Sequence, residues 1–236
     1  MDCIILAGGL GTRLRTAVHD RPKPLALIQG VPFLSLLMRH LGKTGLVSKA
    51  VVAVGYQAKA IVDFFSESPL SLPVEFSYEE QLVGTGGAVQ KALEKTNSES
   101  VLVLNGDSYI DFSLASFFET HQSLNRDATL VYTSVPDAAR FGKLDIDEKA
   151  KTILAFKEKS SSPGPGFINA GVYLFRRSLF EKYSLPEAFS LERELFPQLV
   201  LAGMGAFYAP GAFIDIGTPD SYQEAQHVLK SLVQAL

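Results

Sequence analysis

The sequence predicts an α/β fold, a mixed, mostly parallel sheet with helices on both faces, and three observations carry that expectation. Short continuous apolar runs bounded by turn residues recur along the chain, the pattern of strands covered on both sides. Stretches with the helical period separate those runs, so successive strands need crossover connections, and crossovers set strands parallel. The chain of 236 residues is 47% hydrophobic and neither an internal repeat nor a hydrophilic linker divides it, so one domain spanning 1–236 is expected.

Each element follows in order. The first strand is "CIIL" (3–6), and the first long helix is "PFLSLLMRHLGKTG", with Phe33, Leu34, Leu37, Met38 and Leu41 on one stripe and Pro32 suited to a first turn. "AVVAV" (50–54) is a strand, "YQAKAIVDFF" and "GGAVQKALEK" are helical, and "VLVL" (101–104) is a strand again. "LASFFETHQSL" is helical, "ATLVYTSV" (128–135) and "AGVYLF" (170–175) are strands, and "PDSYQEAQHVLKSLVQAL" closes the chain as one helix. "SSSPGPG" (160–166) is too short for a tether between domains and reads as a loop.

Composition excludes several classes. "MDCIILAGG" lacks the basic start and the long apolar run of a signal peptide, and no run of about 18 apolar residues could span a membrane, so a cytoplasmic protein without a membrane partner is expected. Cys3 is the single cysteine and cannot form an internal disulfide; a small buried hydrophobe is its expected role. His19, His40, His121 and His227 show no metal-ligand spacing, which argues against zinc. The net charge of −3 argues against a nucleic-acid partner. Residues 11–24 run the other way, with Arg13, Arg15, Arg21 and Lys23 against Asp20 alone. That island asks for an anion.

The island sits in "LAGGLGTRLRTAVHDRPKPLA", directly after the first strand, where open α/β sheets bind their ligands. Gly8, Gly9 and Gly11 let backbone N–H groups approach phosphate oxygens, and Arg13 and Lys23 add full charges. A dinucleotide fingerprint would need glycine where Leu14 stands, and a P-loop would need Gly-Lys-Ser/Thr, which is absent. Two further runs deliver carboxylates to strand ends: "VLVLNGDSYID" carries Asp107, and "FIDIGTPDSY" carries Asp215 ahead of a helix that Thr218 and Pro219 can start. Their distance in sequence does not show that they meet. Asp111, Asp145 and Asp147 look like turn or solvated residues. "EEQLVGTGGAVQKAL" is a second glycine-rich turn opening a helix.

Taken together, "LAGGLGTRLR" and "RPKPLALIQGVPFL" closely resemble the N-terminal region of sugar-1-phosphate nucleotidyltransferases. The resemblance continues in order through "GYQAKAIVDFF", "EEQLVGTGGAVQKAL", "VLNGDSYIDF", "KEK", "INAGVYLF" and "FIDIGTPDSY". It implies the Rossmann-like fold of nucleotide-diphospho-sugar transferases and a reaction that joins a nucleoside triphosphate to a sugar 1-phosphate, releasing pyrophosphate. "NGDSYID" and the short length look most like the heptose 1-phosphate guanylyltransferase branch, which implies GTP and D-glycero-α-D-manno-heptose 1-phosphate as partners.

The resemblance also assigns residues. Arg13 would clamp the β- and γ-phosphates, Lys23 would touch the α-phosphate, and Asp107 would act with them as a catalytic group. Asp107 and Asp215 would share Mg²⁺. Leu6, Ala7, Gly8, Gly9, Gly11, Thr12, Gln81, Gly84, Thr85 and Gly106 would bind the nucleotide, with Gln81 and Gly84 bordering the base. Glu158 would accept sugar hydroxyls, Lys159 would hold the sugar's phosphate, and Gly142, Asn169 and Gly171 would approach the ring. Lys143 stands where the family commonly has an apolar residue. Mannose 1-phosphate with GTP, or a hexose 1-phosphate with UTP or dTTP, remains an alternative. So do a non-catalytic nucleotide-sugar sensor and a dinucleotide-dependent oxidoreductase, and self-association into a homo-oligomer is left open.

Overall fold

A computed structural model gives the architecture and describes every residue except 69, 71, 142, 158–162 and 236. The first half of the chain alternates strands and helices: β1 (Asp2–Leu6), a hairpin of β2 (Leu27–Ile28) and β3 (Val31–Pro32), α1 (Phe33–Lys43), β4 (Lys49–Val54), α2 (Ala58–Glu67), β5 (Val74–Tyr78), α3 (Gly84–Leu93), β6 (Ser100–Asn105), β7 (Ser108–Ile110) and α4 (Leu114–Leu124). The second half is richer in strands. It runs β8 (Ala128–Val135), β9 (Leu144–Asp147), β10 (Thr152–Phe156), β11 (Gly166–Arg176), α5 (Leu179–Lys182), a π-helical turn over Leu191–Leu195, α6 (Phe196–Ala202), β12 (Gly205–Tyr208), β13 (Phe213–Asp215), α7 (Pro219–Val228) and α8 (Lys230–Gln234).

Nine strands form one sheet in the order β5-β4-β1-β6-β11-β8-β12-β10-β9, with β11 also pairing β9. Strands β5, β4, β1 and β6 are mutually parallel, and β12 is parallel to β8. β11 runs antiparallel to both β6 and β8, and β10 and β9 are antiparallel as well. The sheet is therefore mixed as expected, but parallel pairing is confined mainly to its N-terminal half. The reason is physical: a continuous apolar run reports burial on both faces, and says nothing about direction once an antiparallel strand is covered on both faces too. The β9–β10 pair is joined by a turn, not a crossover, in which Asp147 Oδ1 accepts from the N–H groups of Lys149 and Ala150 at 3.0 and 2.9 Å.

The alternation of side chains along the strands divides the core in two. Cys3, Ile5, Val52, Leu102 and Leu104 face one side, where Leu34 and Met38 of α1, Ile61 of α2 and Phe117 of α4 cover them. Ile4, Val51, Val101 and Val103 face the other, under Val89 and Ala92 of α3, Leu179 of α5, and Leu195, Phe196 and Leu199. A third cluster sits off the sheet. It packs Leu14 and Val18, just after β1, against Ile214, Ile216 and Ala225, so the cationic loop is anchored to the chain's C-terminal elements.

The C-terminal helix is not continuous. Thr218 caps α7 as expected, its hydroxyl accepting from Ser221 N–H, but Leu229 leaves helical geometry at ψ 7° and separates α7 from α8. The periodic pattern crosses that residue because Leu229 itself is buried in the third cluster.

Candidate functional site

The loops that leave the carboxyl ends of β1, β5 and β6 meet around a cavity of about 500 Å³. Hydrogen bonds carry the sheet's ladder past the strand ends and hold those loops: Ala7 N–H donates to Ala53 C=O, and Gly106 N–H to Leu6 C=O, both at 2.9 Å. Leu6, Ala7, Gly8, Gly9, Gly11, Thr12, Arg13, Lys23, Gly84, Thr85, Gly106 and Asp107 all line the cavity. One expected member does not. Gln81 is exposed and lies outside the lining, where Glu79 and Leu82 stand instead.

Glu79 belongs to the wall. Its N–H donates to Val54 C=O at 2.8 Å, extending β5 by one residue, and a Cβ on Gly8 would fall 2.3 Å from its Oε1. Burial pushes the Glu79 carboxyl above the usual range, opposed by a backbone hydrogen bond from Val83 and by Lys91. The strand period gave no signal for it, because the apolar Val74 and Phe76 occupy the other face of β5 and Glu79 shares its parity with the exposed Glu75; only the fold shows that Ser77 on that face is buried. The hydroxyl of Thr85, one of the residues expected to bind the nucleotide, is engaged within the protein. It donates to Glu192 at 3.0 Å and accepts from Leu191 N–H at 2.9 Å.

A second cavity of about 730 Å³ adjoins the first, and Arg13, Asn105 and Asp107 line both. Asp215 lines the second. The structure brings the two aspartates together through backbone pairing: Asp215 of β13 sits opposite Ser108 of β7, and Ile216 N–H donates to Asp107 C=O at 2.9 Å. Cations already attend both. Lys23 Nζ donates to Asp107 Oδ2 at 2.6 Å, and Arg140 Nη2 donates to Asp215 Oδ1 and Oδ2 at 3.0 and 2.9 Å. A Cβ on Gly217 would lie 2.6 Å from Asp215 Oδ1, 3.6 Å from Lys23 Nζ and 3.8 Å from Arg13 Nη2, so these groups crowd one point.

Asp107, in the turn between β6 and β7 at the rim shared by the two cavities, and Asp215, at the end of β13 in the second, are hard oxygen donors of the kind that would suit a divalent cation. Among the described residues no third histidine, cysteine or acid joins them into a metal cluster. A substrate would have to supply further oxygens.

The acceptor residues expected from sequence divide into those described and those not. Gly142, Glu158 and Lys159 lie outside the described residues. Asn169 and Gly171 line the second cavity at a bulge, where the β11–β8 register shifts between Asn169 and Tyr173. Asn169 Nδ2 donates to Tyr173 Oη, and its Oδ1 accepts from Gly171 N–H, both at 2.9 Å. Gly171 has φ +76°, and a Cβ there would meet Asn105 Nδ2 at 2.7 Å and Ser108 Oγ at 2.8 Å, so the position admits no side chain. The second cavity also holds Arg140 and Glu192, which sequence reasoning did not single out.

Comparison with known proteins decides the family. The nucleotidyl transferase family model matches residues 2–231, nearly the whole chain. The chain belongs to the nucleotidyl transferase family. This nucleotidyl transferase is 36% identical over 234 residues, 99% of its own length and 100% of the relative's, to a D-glycero-α-D-manno-heptose 1-phosphate guanylyltransferase of Aneurinibacillus thermoaerophilus. It is 34% identical over 94% of its length and 97% of the relative's to the enzyme of the same name from Campylobacter jejuni. Among solved structures, HddC from Yersinia pseudotuberculosis complexed with GMP-PN superposes with a TM-score of 0.84 at 36% identity, covering 96% of this chain and 98% of that one. Among the described residues of this nucleotidyl transferase no helix is long and apolar enough to cross a membrane.

Proposed function

We propose that this enzyme transfers GMP from GTP to D-glycero-α-D-manno-heptose 1-phosphate, releasing pyrophosphate and forming the GDP-sugar. The observation that carries it is the rim common to the two cavities, where Arg13 and Asp107 stand between a glycine-walled pocket suited to a triphosphate and a polar pocket suited to a sugar phosphate. The names of the relatives in Aneurinibacillus and Campylobacter, and the GMP-PN complex of HddC, support the choice of base and acceptor. Glu79 supports guanine independently. A carboxylate accepts from two adjacent N–H groups, and among the common bases guanine presents that pair at N1 and N2.

An oxygen of the acceptor's phosphate attacks the α-phosphorus of GTP, the new P–O bond forms, and the bond to the β-phosphate bridge breaks as pyrophosphate leaves with the bonding electrons. Both reactants are anions, so the protein must offset their repulsion and hold them in line. Arg13 takes charge developing on the leaving pyrophosphate. Lys23, confined between Pro22 and Pro24, leaves Asp107 for the α-phosphate oxygens. Asp107 and Asp215 would hold Mg²⁺, which would supply charge neutralisation on the phosphate oxygens.

A matrix of five nucleoside triphosphates against several sugar 1-phosphates, read by pyrophosphate release, tests the proposal. GTP with the heptose 1-phosphate should be the best pair. A tenfold preference for UTP or dTTP in kcat/KM, or for mannose 1-phosphate as acceptor, overturns it.

A further inference from the structure

The π-helical turn at Leu191–Leu195 lines the second cavity through Glu192 and Arg193, and it is bonded to Thr85 of the first. On the nucleotide side, Gly86 N–H donates to Phe189 C=O at 2.9 Å, and the Thr85 hydroxyl accepts from Leu191 N–H, so the start of α3 is tied to this segment. On the acceptor side, Glu192 lines the second cavity and is half-buried. Its carboxylate is oriented by two donors on one oxygen: Thr85 Oγ1 at 3.0 Å and Ser190 Oγ at 2.8 Å, both on Oε2. An ionised carboxylate has about four acceptor positions, and these bonds use two.

The acids of the second cavity differ in their company. Asp107 and Asp215 are each held by a cation, as suits the phosphate end of a substrate. No cation among the described residues forms an ion pair with Glu192. Asn169, which donates to the Tyr173 hydroxyl at the β11 bulge, lines the same cavity. Arg193 lines the same cavity without pairing to Glu192, so a half-buried carboxylate with oriented acceptor capacity and no ion-pair partner among the described residues is left, which is suited to hydroxyl groups.

We propose that Glu192 binds hydroxyls of the acceptor sugar and that Thr85, at the nucleotide cavity, positions it, so that the two substrates communicate through this one hydrogen bond. The inference rests on the proposed function for the identity of the acceptor. Its structural content is the link itself: a residue on the nucleotide wall holds a residue on the acceptor wall. π-helical turns interrupt ordinary helices at a cost and recur at functional sites, which accords with a turn kept in order to aim Glu192.

The test is steady-state kinetics of the full chain with GTP and the heptose 1-phosphate, varying each substrate in turn. Glu192→Gln keeps the shape and removes the charge. It should raise KM for the acceptor about tenfold to a hundredfold, the effect of losing charge-assisted hydrogen bonds, while KM for GTP changes less than twofold. Thr85→Val should raise the acceptor KM in the same direction, and Thr85→Ser, which restores the hydroxyl, should return it toward wild type. Calorimetric titration of a non-hydrolysable GTP analogue into each variant shows whether the nucleotide cavity is intact. An unchanged acceptor KM in Glu192→Gln overturns the inference, as does an equal rise for both substrates or a failure of Thr85→Ser to rescue. If the wild type does not use the heptose 1-phosphate, the proposed acceptor falls. The same KM comparison on whichever sugar 1-phosphate the matrix selects then decides the role of Glu192 separately.

Discussion

The two cavities are built by different means. The first is walled by consecutive backbone following parallel strands: residues 6–13 after β1, Asn105 to Asp107 after β6, and the glycine-rich start of α3. The second is assembled from side chains on distant segments, with Arg140 from the loop after β8, Asn169 from the bulge of β11, Glu192 from the π-helical turn and Asp215 from β13. Parallel strands end together at one edge, so their loops make a pocket by topology alone. Antiparallel strands return their loops to both edges, and a pocket beside them must recruit residues one at a time. The common chemistry of anion binding can thus reside in backbone and glycine, while the choice of acceptor is left to individual side chains.

The largest expected effect tests the seam where the two kinds of construction meet. Asp107→Asn and Asp215→Asn should each lower kcat by about a hundredfold or more, since the proposed shared divalent ion would supply several kcal/mol of charge stabilisation. The double variant should lose much less than the product of the single losses, because groups serving one function are non-additive. Multiplicative losses would mean that the aspartates serve the two cavities separately, and the seam would be only a boundary.

The next effect belongs to the nucleotide side, where one side chain breaks the rule of backbone construction. Glu79→Gln turns an acceptor into a group that presents a donor to guanine. It should lower kcat/KM for GTP by about tenfold or more, with little change for other triphosphates, since a site built around a specific polar pair rejects a mismatch strongly. A uniform loss over all triphosphates would return Glu79 to a structural role against Gly8.

The same contrast governs what sequence could disclose. The glycine loop, Arg13, Lys23 and the aspartate at the end of β6 are legible because each sits in a short contiguous motif whose chemistry follows from its residue types. Glu79 is hidden by its neighbours: Glu80 and Gln81 make the stretch look like a solvated polar run, and the parity of β5 groups it with Glu75 and Ser77, opposite the apolar Val74 and Phe76. Glu192 and Arg140 carry no motif. Their meaning comes from Thr85 and Asp215, far away in sequence, and no local pattern reports such a pairing. For the fold, strands that are apolar throughout are plain in sequence, whereas "LDID" and "GAFY" are too short and mixed to be separated from turns.

A smaller effect is expected at Arg140, whose side chain is nearly half exposed and bonds both oxygens of Asp215 through one nitrogen. Exposed ion pairs contribute little, so Arg140→Ala should alter the Mg²⁺ concentration for half-maximal activity by only about two- to fivefold. The direction is informative. Removal of a cation that competes for Asp215 should lower the requirement for metal, and Mn²⁺ binding followed by electron paramagnetic resonance would report the same tightening without turnover. A raised requirement would mean that Arg140 orients Asp215 for the ion.

The smallest effect on activity, and a distinct effect on stability, lies behind the acceptor half of the sheet. His121 on α4 is 2% exposed, its Nδ1 lies 2.8 Å from Thr129 Oγ1 of β8, and its Nε2 has no hydrogen-bond partner among the described residues. Burial, reinforced by Arg176 and opposed by Asp127, lowers its pKa from 6.5 to about 4. The unfolded chain therefore takes up a proton as pH falls through 6.5 while the folded chain does not until about 4, so stability present at neutral pH is lost progressively across that window. His40, partly buried beside Tyr109, is lowered as well and contributes with the same sign. His121→Gln should keep kcat near pH 7.5 within about twofold, because His121 lines neither cavity. Its melting temperature should fall less than that of wild type between pH 7 and pH 5, with the remaining slope assigned to His40 by the matching variant His40→Gln. If the two curves run parallel, His121 does not titrate on unfolding in this range, and the acid sensitivity of this half of the sheet lies in its carboxylates.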